Sequence, residues 1–249
     1  MAGNAAEQML HFLRQAAAEQ GISLTDGQLE KFAVYYDFLL EYNGKVNLTR
    51  ITEPLDVAVK HFADSLSLLP TGWLPAGGRV ADVGTGAGFP GIPLAIMRPD
   101  LQVVLVDSLR KRTAFLSEAV QKLALPNVTV VWSRAEDLGR DPEFRERFEI
   151  VLARAVAELN VLAELCLPLA KPGGAFVAMK GPKAEEELAR ATAAIRLLGG
   201  GAAAVVTTKL PLLAEDRTII RIAKQRPISA KYPRKAGVPE RLPLSADVK

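Results

Sequence analysis

The stretch Asp82-Val83-Gly84-Thr85-Gly86-Ala87-Gly88-Phe89-Pro90-Gly91 constrains this chain more than any other segment. It follows the short apolar run Arg79-Val80-Ala81 and leads into Ile92-Pro93-Leu94-Ala95-Ile96-Met97, which reads as a helix opening at Pro90. A strand that ends in closely spaced glycines and turns at once into a helix lets a ligand approach bare backbone. The helix N-terminus then offers free N–H groups and a partial positive charge. The segment predicts a nucleotide-type cofactor site; a tight strand-to-helix turn with no ligand is the plainer alternative.

Spacing narrows the choice of nucleotide. A dinucleotide site takes G-x-G-x-x-G with an acidic residue about 20 positions on. Here the glycines run Gly84-x-Gly86-x-Gly88-x-x-Gly91, which fits only in part. Asp82 places a negative charge where a dinucleotide would bring its pyrophosphate. The next apolar strand, Gln102-Val103-Val104-Leu105-Val106, ends in Asp107, suited to ribose hydroxyls. Together these favour a cofactor without phosphate and with a positive centre, S-adenosylmethionine, over NAD.

At 249 residues and 49% hydrophobic content, one α/β domain with extensions is expected. The seven strands, near Arg79–Asp82, Gln102–Val106, Asn127–Trp132, Phe148–Ala153, Ala175–Met179, Ala203–Leu210 and Arg217–Ala223, alternate with helices up to a final hairpin. That pattern predicts a mainly parallel Rossmann-like sheet with an antiparallel terminal hairpin, the class I methyltransferase arrangement. Residues 1–72 read as an N-terminal helical extension, with a capping box at Thr25 and Gln28, a break at Asn43-Gly44 and a third helix over about 54–69. Residues 73–224 form the cofactor-binding domain. Residues 225–249 are a proline-rich tail, expected to be extended and free of helix.

Composition excludes several classes. No apolar run of about 18 residues occurs, so no membrane span is expected. The first twenty residues lack the pattern of a signal peptide, and a soluble cytoplasmic protein is expected. A single cysteine, Cys166, rules out an internal disulfide or a multi-thiolate metal site, and its apolar helical surroundings read as core. The two histidines, His11 and His61, lack metal-ligand spacing, so no metal is expected. The net charge of +3 is uneven: residues 1–72 hold five Lys/Arg and nine Asp/Glu, whereas 224–249 hold seven Lys/Arg and two acids. A basic tail suits a polyanion, although a merely solvated end would look the same.

Ligands of open α/β sheets bind beyond the carboxyl ends of the strands. Those ends carry the glycine loop, Asp107-Ser108-Leu109, Ser133-Arg134-Ala135-Glu136-Asp137, Arg154-Ala155 and Lys180-Gly181. Ala135 and Glu136 are placed beside the adenine, Glu136 being readable equally as a helix N-terminal acid. Arg154 closes the apolar strand Ile150-Val151-Leu152-Ala153, an expensive place for an idle charge. The Asn/Asp-Pro-Pro-aromatic signature of exocyclic-amine methylation is missing, since Ala153-Arg154-Ala155-Val156 stands there, and Cys166 is no pocket nucleophile.

Several blocks resemble one family: Tyr42-Asn43-Gly44-Lys45-Val46-Asn47-Leu48-Thr49, His61-Phe62-Ala63-Asp64-Ser65-Leu66, the glycine loop through Pro93, Asp107-Ser108-Leu109-Arg110-Lys111-Arg112 and Tyr232-Pro233-Arg234-Lys235-Ala236-Gly237-Val238-Pro239. They are similar to the small-subunit ribosomal RNA guanine-N7 methyltransferases (RsmG, or glucose-inhibited division protein B) over about residues 29–244. The resemblance implies methyl transfer from S-adenosylmethionine to 16S ribosomal RNA or the small subunit. It implies cofactor contacts at Gly84, Phe89, Asp107, Ser108, Leu109, Ala135, Glu136 and Arg154, to which the loop's own chemistry adds Asp82 and Gly86. Arg154 and Lys180 would hold RNA, and Asn47 would read a guanine edge or simply form a turn. Lys231, Arg234, Lys235 and Arg241 would contact the RNA backbone. An NAD-type oxidoreductase and a non-catalytic ribosome assembly factor are the competing expectations.

Overall fold

The computed structural model of the chain describes residues 2–154 and 156–245. Two helices open it, α1 (Ala2–Glu19) and α2 (Asp26–Val46). The capping box forms as read: the Gln28 N–H donates to the Thr25 hydroxyl at 3.3 Å, and the Thr25 N–H to the Gln28 side chain at 2.9 Å. Both are N–H groups that the first turn would otherwise leave free. α2 does not break at Asn43-Gly44. It continues to Val46 and stops at Asn47, which adopts a left-handed φ of 49°. Asn43 helps to end it from inside, its side chain accepting the Thr49 N–H at 2.9 Å. The third helix, α3, spans residues 54–66, but its middle, Val57–Ala63, is wound as a π-helix. Such local widening is uncommon and often marks functional sites; here it carries His61 and leads into Asp64.

Seven strands follow: β1 (Gly78–Val83), β2 (Leu101–Asp107), β3 (Val128–Trp132), β4 (Phe148–Arg154), β5 (Ala170–Lys180), β6 (Gly200–Lys209) and β7 (Asp216–Lys224). Their order is β3-β2-β1-β4-β5-β7-β6. β1 to β5 are parallel, and β7 lies antiparallel between β5 and β6. The expected parallel sheet with a terminal hairpin is therefore present. The connecting helices are α4 (Gly91–Met97), α5 (Arg110–Lys122), α6 (Ala135–Leu138), α7 (Leu159–Cys166) and α8 (Ala184–Leu197).

Alternation along the strands divides the core in two. Val80, Leu105, Ile150 and Val177 face a cluster that includes Met9, Phe32, Tyr35 and Phe62 from the three N-terminal helices. Ala81, Val106, Val151 and Phe176 face the opposite cluster with α7 and α8, where Cys166 lies buried. The N-terminal extension thus covers one face of the sheet. The tail joins the other face through Ile228 and Leu244. It is also not free of helix: Val238–Arg241 forms one turn, α9, with a proline in its first positions. Proline is tolerated there because that N–H has no helical partner to lose. Among the described residues no helix is long and apolar enough to cross a membrane.

Candidate active site

The glycine loop is held from beneath by Asp82. This side chain is fully buried, and its Oδ2 accepts the Thr85 hydroxyl at 2.6 Å and the Gly91 N–H at 2.8 Å. It lines neither cavity described below, so its expected role as a charge facing the cofactor is replaced by stapling the loop. Burial raises its pKa to about 6, against the lowering effect of those two donors. Gly84, Gly88 and Gly91 are sterically required, and two of them show why. Gly84 has φ +70°, and a Cβ there would lie 2.7 Å from Val156 Cγ2. At Gly91 a Cβ would lie 2.8 Å from Asp82 Oδ2 and would also strike Leu105.

Two cavities open on the carboxyl ends of the strands. One, of about 410 Å³, is lined by Gly84, Asp107, Ser108, Ala135 and Glu136, with Pro239 of the tail. Asp107 is set in place: its Oδ2 accepts the Gly86 N–H at 3.0 Å and its Oδ1 the Leu109 N–H at 2.9 Å. The second cavity, of about 590 Å³, is lined by Thr49, His61, Gly86, Phe89, Arg154 and Lys180, among others. Gly84 and Arg112 line both. The first carries three carboxylates (Asp107, Glu136, Glu240) against two arginines. The second carries five cationic side chains (Lys60, Arg112, Arg154, Lys180, Arg217) against two carboxylates (Asp64, Glu187). Two spaces whose linings are of opposite electrostatic bias therefore meet at the bare backbone of Gly84 and at Arg112.

The family described as rRNA small subunit methyltransferase G matches residues 28–219. A protein named ribosomal RNA small subunit methyltransferase G from Pelotomaculum thermopropionicum is 50% identical over 232 residues, covering 93% of this chain and 97% of the relative. The protein of that name from Desulforamulus reducens is 46% identical, covering 94% and 97%. This chain belongs to the rRNA small subunit methyltransferase G family. The fold also matches, at 20% identity and a TM-score of 0.50, a tryptophan-to-alanine mutant of the 16S rRNA (adenine(1408)-N(1))-methyltransferase from Catenulisporales acidiphilia, over 62% of this chain and 88% of that one.

The residues expected from the resemblance to this methyltransferase G family fall into distinct places. Gly84, Asp107, Ser108, Ala135 and Glu136 come together in the first cavity. Gly86 and Phe89 face the second instead, and Leu109 lines neither, its backbone N–H holding Asp107. Ala155 lies outside the described residues. Asn47 is exposed at the end of α2, where it forms the turn, and lines neither cavity. Lys180 is not free for RNA: its Nζ pairs with Glu187 at 2.7 Å and donates to the Ala157 carbonyl at 2.8 Å. Arg234 is likewise taken, its guanidinium paired with the fully buried Glu164 at 2.6 Å. A buried carboxylate without a partner is costly, so the tail arginine satisfies the fold rather than a phosphate.

Arg154 is clamped in the second cavity. Its Nη1 donates to Asp64 Oδ2 at 2.7 Å and to the Lys60 carbonyl at 3.0 Å, and its guanidinium lies 5.2 Å from the Phe89 ring centroid. The other face of this network is Arg217, 3.3 Å from Asp64 Oδ1. His61 stacks on Phe89 at 4.3 Å and 11°, with its Nε2 2.9 Å from the Thr49 hydroxyl. Burial, reinforced by Arg154, lowers its pKa to about 3, so the ring is neutral at pH 7. Sequence reading gave Asp64, Arg217 and Thr49 no role. The His61-to-Asp64 spacing, which puts both on one side of a helix, was the available signal.

Two outcomes follow from these contacts. Asp82 binds its proton more tightly in the folded than in the unfolded chain, so its contribution to stability falls as pH rises from about 4 through about 6. His61 acts oppositely, costing stability as pH drops below its unfolded value. Urea titrations at pH 7 and pH 5 should therefore show the wild type gaining on Asp82→Asn as the pH is lowered; an unchanged difference would mean that Asp82 carries no shifted proton. Separately, Arg154→Ala leaves the buried Asp64 with Arg217 alone and should lower stability by about 3 kcal/mol. Adding Asp64→Asn should recover part of that loss, whereas an Arg154→Ala midpoint equal to wild type would make the pair idle.

Proposed function

We propose that this chain transfers the methyl group of S-adenosylmethionine to N7 of a guanine in 16S ribosomal RNA, in the cytoplasm. The observation that carries the reading is the pair of cavities of opposite charge sharing the bare backbone of Gly84. The first fits the cofactor: Asp107 is preset for ribose hydroxyls, Ala135 and Glu136 flank the adenine end, and an excess of carboxylates suits a sulfonium. The same excess repels a pyrophosphate, which disfavours a dinucleotide. The second cavity, with its excess of cations, suits a nucleotide of RNA.

The bound cofactor supplies a methyl group on a positively charged sulfur. Guanine N7 presents an in-plane lone pair and no proton, so the protein need not remove one. The side chains of the second cavity agree with that demand. His61 is held neutral and hydrogen-bonded to Thr49, Lys180 is neutralised by Glu187, and Arg154 is fixed by Asp64. Their work is orientation and electrostatic attraction, where alignment alone can contribute up to about 7–11 kcal/mol. Phe89, stacked against His61 and beneath Arg154, offers a rigid apolar surface beside them. RNA backbone contacts fall to the exposed cations of the tail, Lys231, Lys235 and Arg241.

Labelled S-adenosylmethionine should transfer methyl to 16S RNA or small subunits, and nucleoside mass spectrometry should find 7-methylguanosine with borohydride–aniline sensitivity. Cys166→Ser should remain active, because the thiol is buried in the core and its pKa is raised by that burial. A methyl on an exocyclic amine, a ring carbon or a ribose oxygen would overturn the assignment.

Replacing Lys231 and Lys235 with alanine should weaken RNA binding and flatten the log K against log salt slope by about 0.7 per lost contact. S-adenosylmethionine affinity should stay constant. An unaltered salt slope would leave these lysines as solvated charges.

A further inference from the structure

The tail is strapped along the body by an unusual density of side-chain-to-backbone bonds. Arg140 donates to the Pro233 carbonyl twice, at 2.9 and 2.7 Å. Arg145 donates to the carbonyls of Tyr232 at 2.7 Å and Ile228 at 3.1 Å. Glu164, fully buried in α7, accepts the Arg234 backbone N–H at 2.8 Å as well as its guanidinium. Pro233 lies so close to α6 that a Cβ on Gly139 would come within 3.0 Å of its Cγ. These bonds deliver α9 to the mouth of the first cavity, where Pro239 and Glu240 form part of the lining. At that point the Gly237 N–H donates to Glu136 Oε1 at 2.7 Å. Glu136 is thus shared: one oxygen holds the strap, and the same side chain faces the cavity.

We infer that residues 232–241 are a wall of the cofactor cavity, fixed in place by Arg140, Arg145 and the Glu164–Arg234 pair, and that cofactor affinity depends on their docking. The inference rests on the cofactor reading above. Its physical basis is that Glu136 cannot keep one orientation if its Gly237 partner leaves, and that a cavity losing Pro239 opens to water. Arg140, Arg145, Glu164 and Arg234 are positioning residues, since none of them lines the cavity.

Docking and binding must then be reciprocal, because a coupling between two equilibria acts equally in both directions. In the full-length wild-type chain, saturating S-adenosylhomocysteine should slow amide hydrogen exchange at Gly237, Val238 and Leu242 as well as at Gly86. Arg234→Ala and Gly139→Val should each weaken S-adenosylhomocysteine binding by about tenfold in calorimetry, within the usual range of such couplings. Arg234→Lys should recover part of that loss. Protection at Gly86 with none in 237–242 would overturn the strap alone. Absence of binding and of protection anywhere would overturn the cofactor reading, and the strap with it. Should a variant fail to fold, the exchange pattern of the wild type still decides.

Discussion

Asp64 holds the substrate-side cavity together. A single carboxylate, almost fully buried, receives Arg154 from the end of β4 at 2.7 Å and Arg217 from the start of β7 at 3.3 Å. It belongs to the N-terminal helical extension, so the pairing fixes that extension against two strands of the sheet. Taking these charges out of water is costly, and only a geometry with several partners offsets the cost. The π-helical winding before Asp64 adds a residue to the turn that carries His61, and His61 stacks on Phe89 of the glycine loop. Extension, loop and strand ends therefore form one constellation, each part oriented by the others.

Much of the fold was legible because its signals are local. The β1-loop-α4 transition, the Thr25 capping box and the alternation of strands with helices each rest on chemistry contained in a few neighbouring residues. The mainly parallel sheet with its terminal hairpin was accessible too, since alternating strands and helices require crossovers of one hand. What sequence could not supply was the partner of each charge. Lys180 and Arg234 look like free cations in the chain, yet Glu187 lies 2.7 Å from the first and Glu164 lies 2.6 Å from the second. Glu187 sits only seven residues on from Lys180 but across a turn on the next helix, and Glu164 lies 70 residues before Arg234, with nothing in the local pattern to single either out.

Asp82 shows the same limit from the other side. Its place at the strand end, before the glycines, suggested a charge presented to a ligand. The chain turns so tightly that Thr85 and Gly91 both reach back to one of its oxygens. Asp107, two residues beyond the Asp82 level on the neighbouring strand, is also gripped by loop N–H groups but faces the cavity. Two aspartates near the ends of neighbouring strands thus divide the work, one shaping the loop and the other presenting a carboxylate. The distinction comes from depth in the sheet: Asp82 lies opposite Leu105, beneath the turn, whereas Asp107 closes its strand two residues further out, a difference of register that residue type does not encode.

The same economy explains why a cavity rich in cations contains no group poised to move a proton. Each cation in it has a carboxylate within 3.4 Å: Lys60 with Asp56 and Glu215, Arg112 with Asp107, Arg154 and Arg217 with Asp64, Lys180 with Glu187. Such pairing lowers the freedom of every side chain, and three of the carboxylates, Asp56, Asp107 and Glu215, stand outside the cavity lining, so cations outnumber acids on the lining itself. The imidazole of His61, the one group whose ordinary pKa is close to neutrality, is driven far from it by burial and by Arg154. A site built this way is matched to a nucleophile that already carries its lone pair. It is less suited to an exocyclic amine, whose nitrogen must shed a proton, because the carboxylates among the described lining residues, Asp64 and Glu187, are already engaged by Arg154, Arg217 and Lys180.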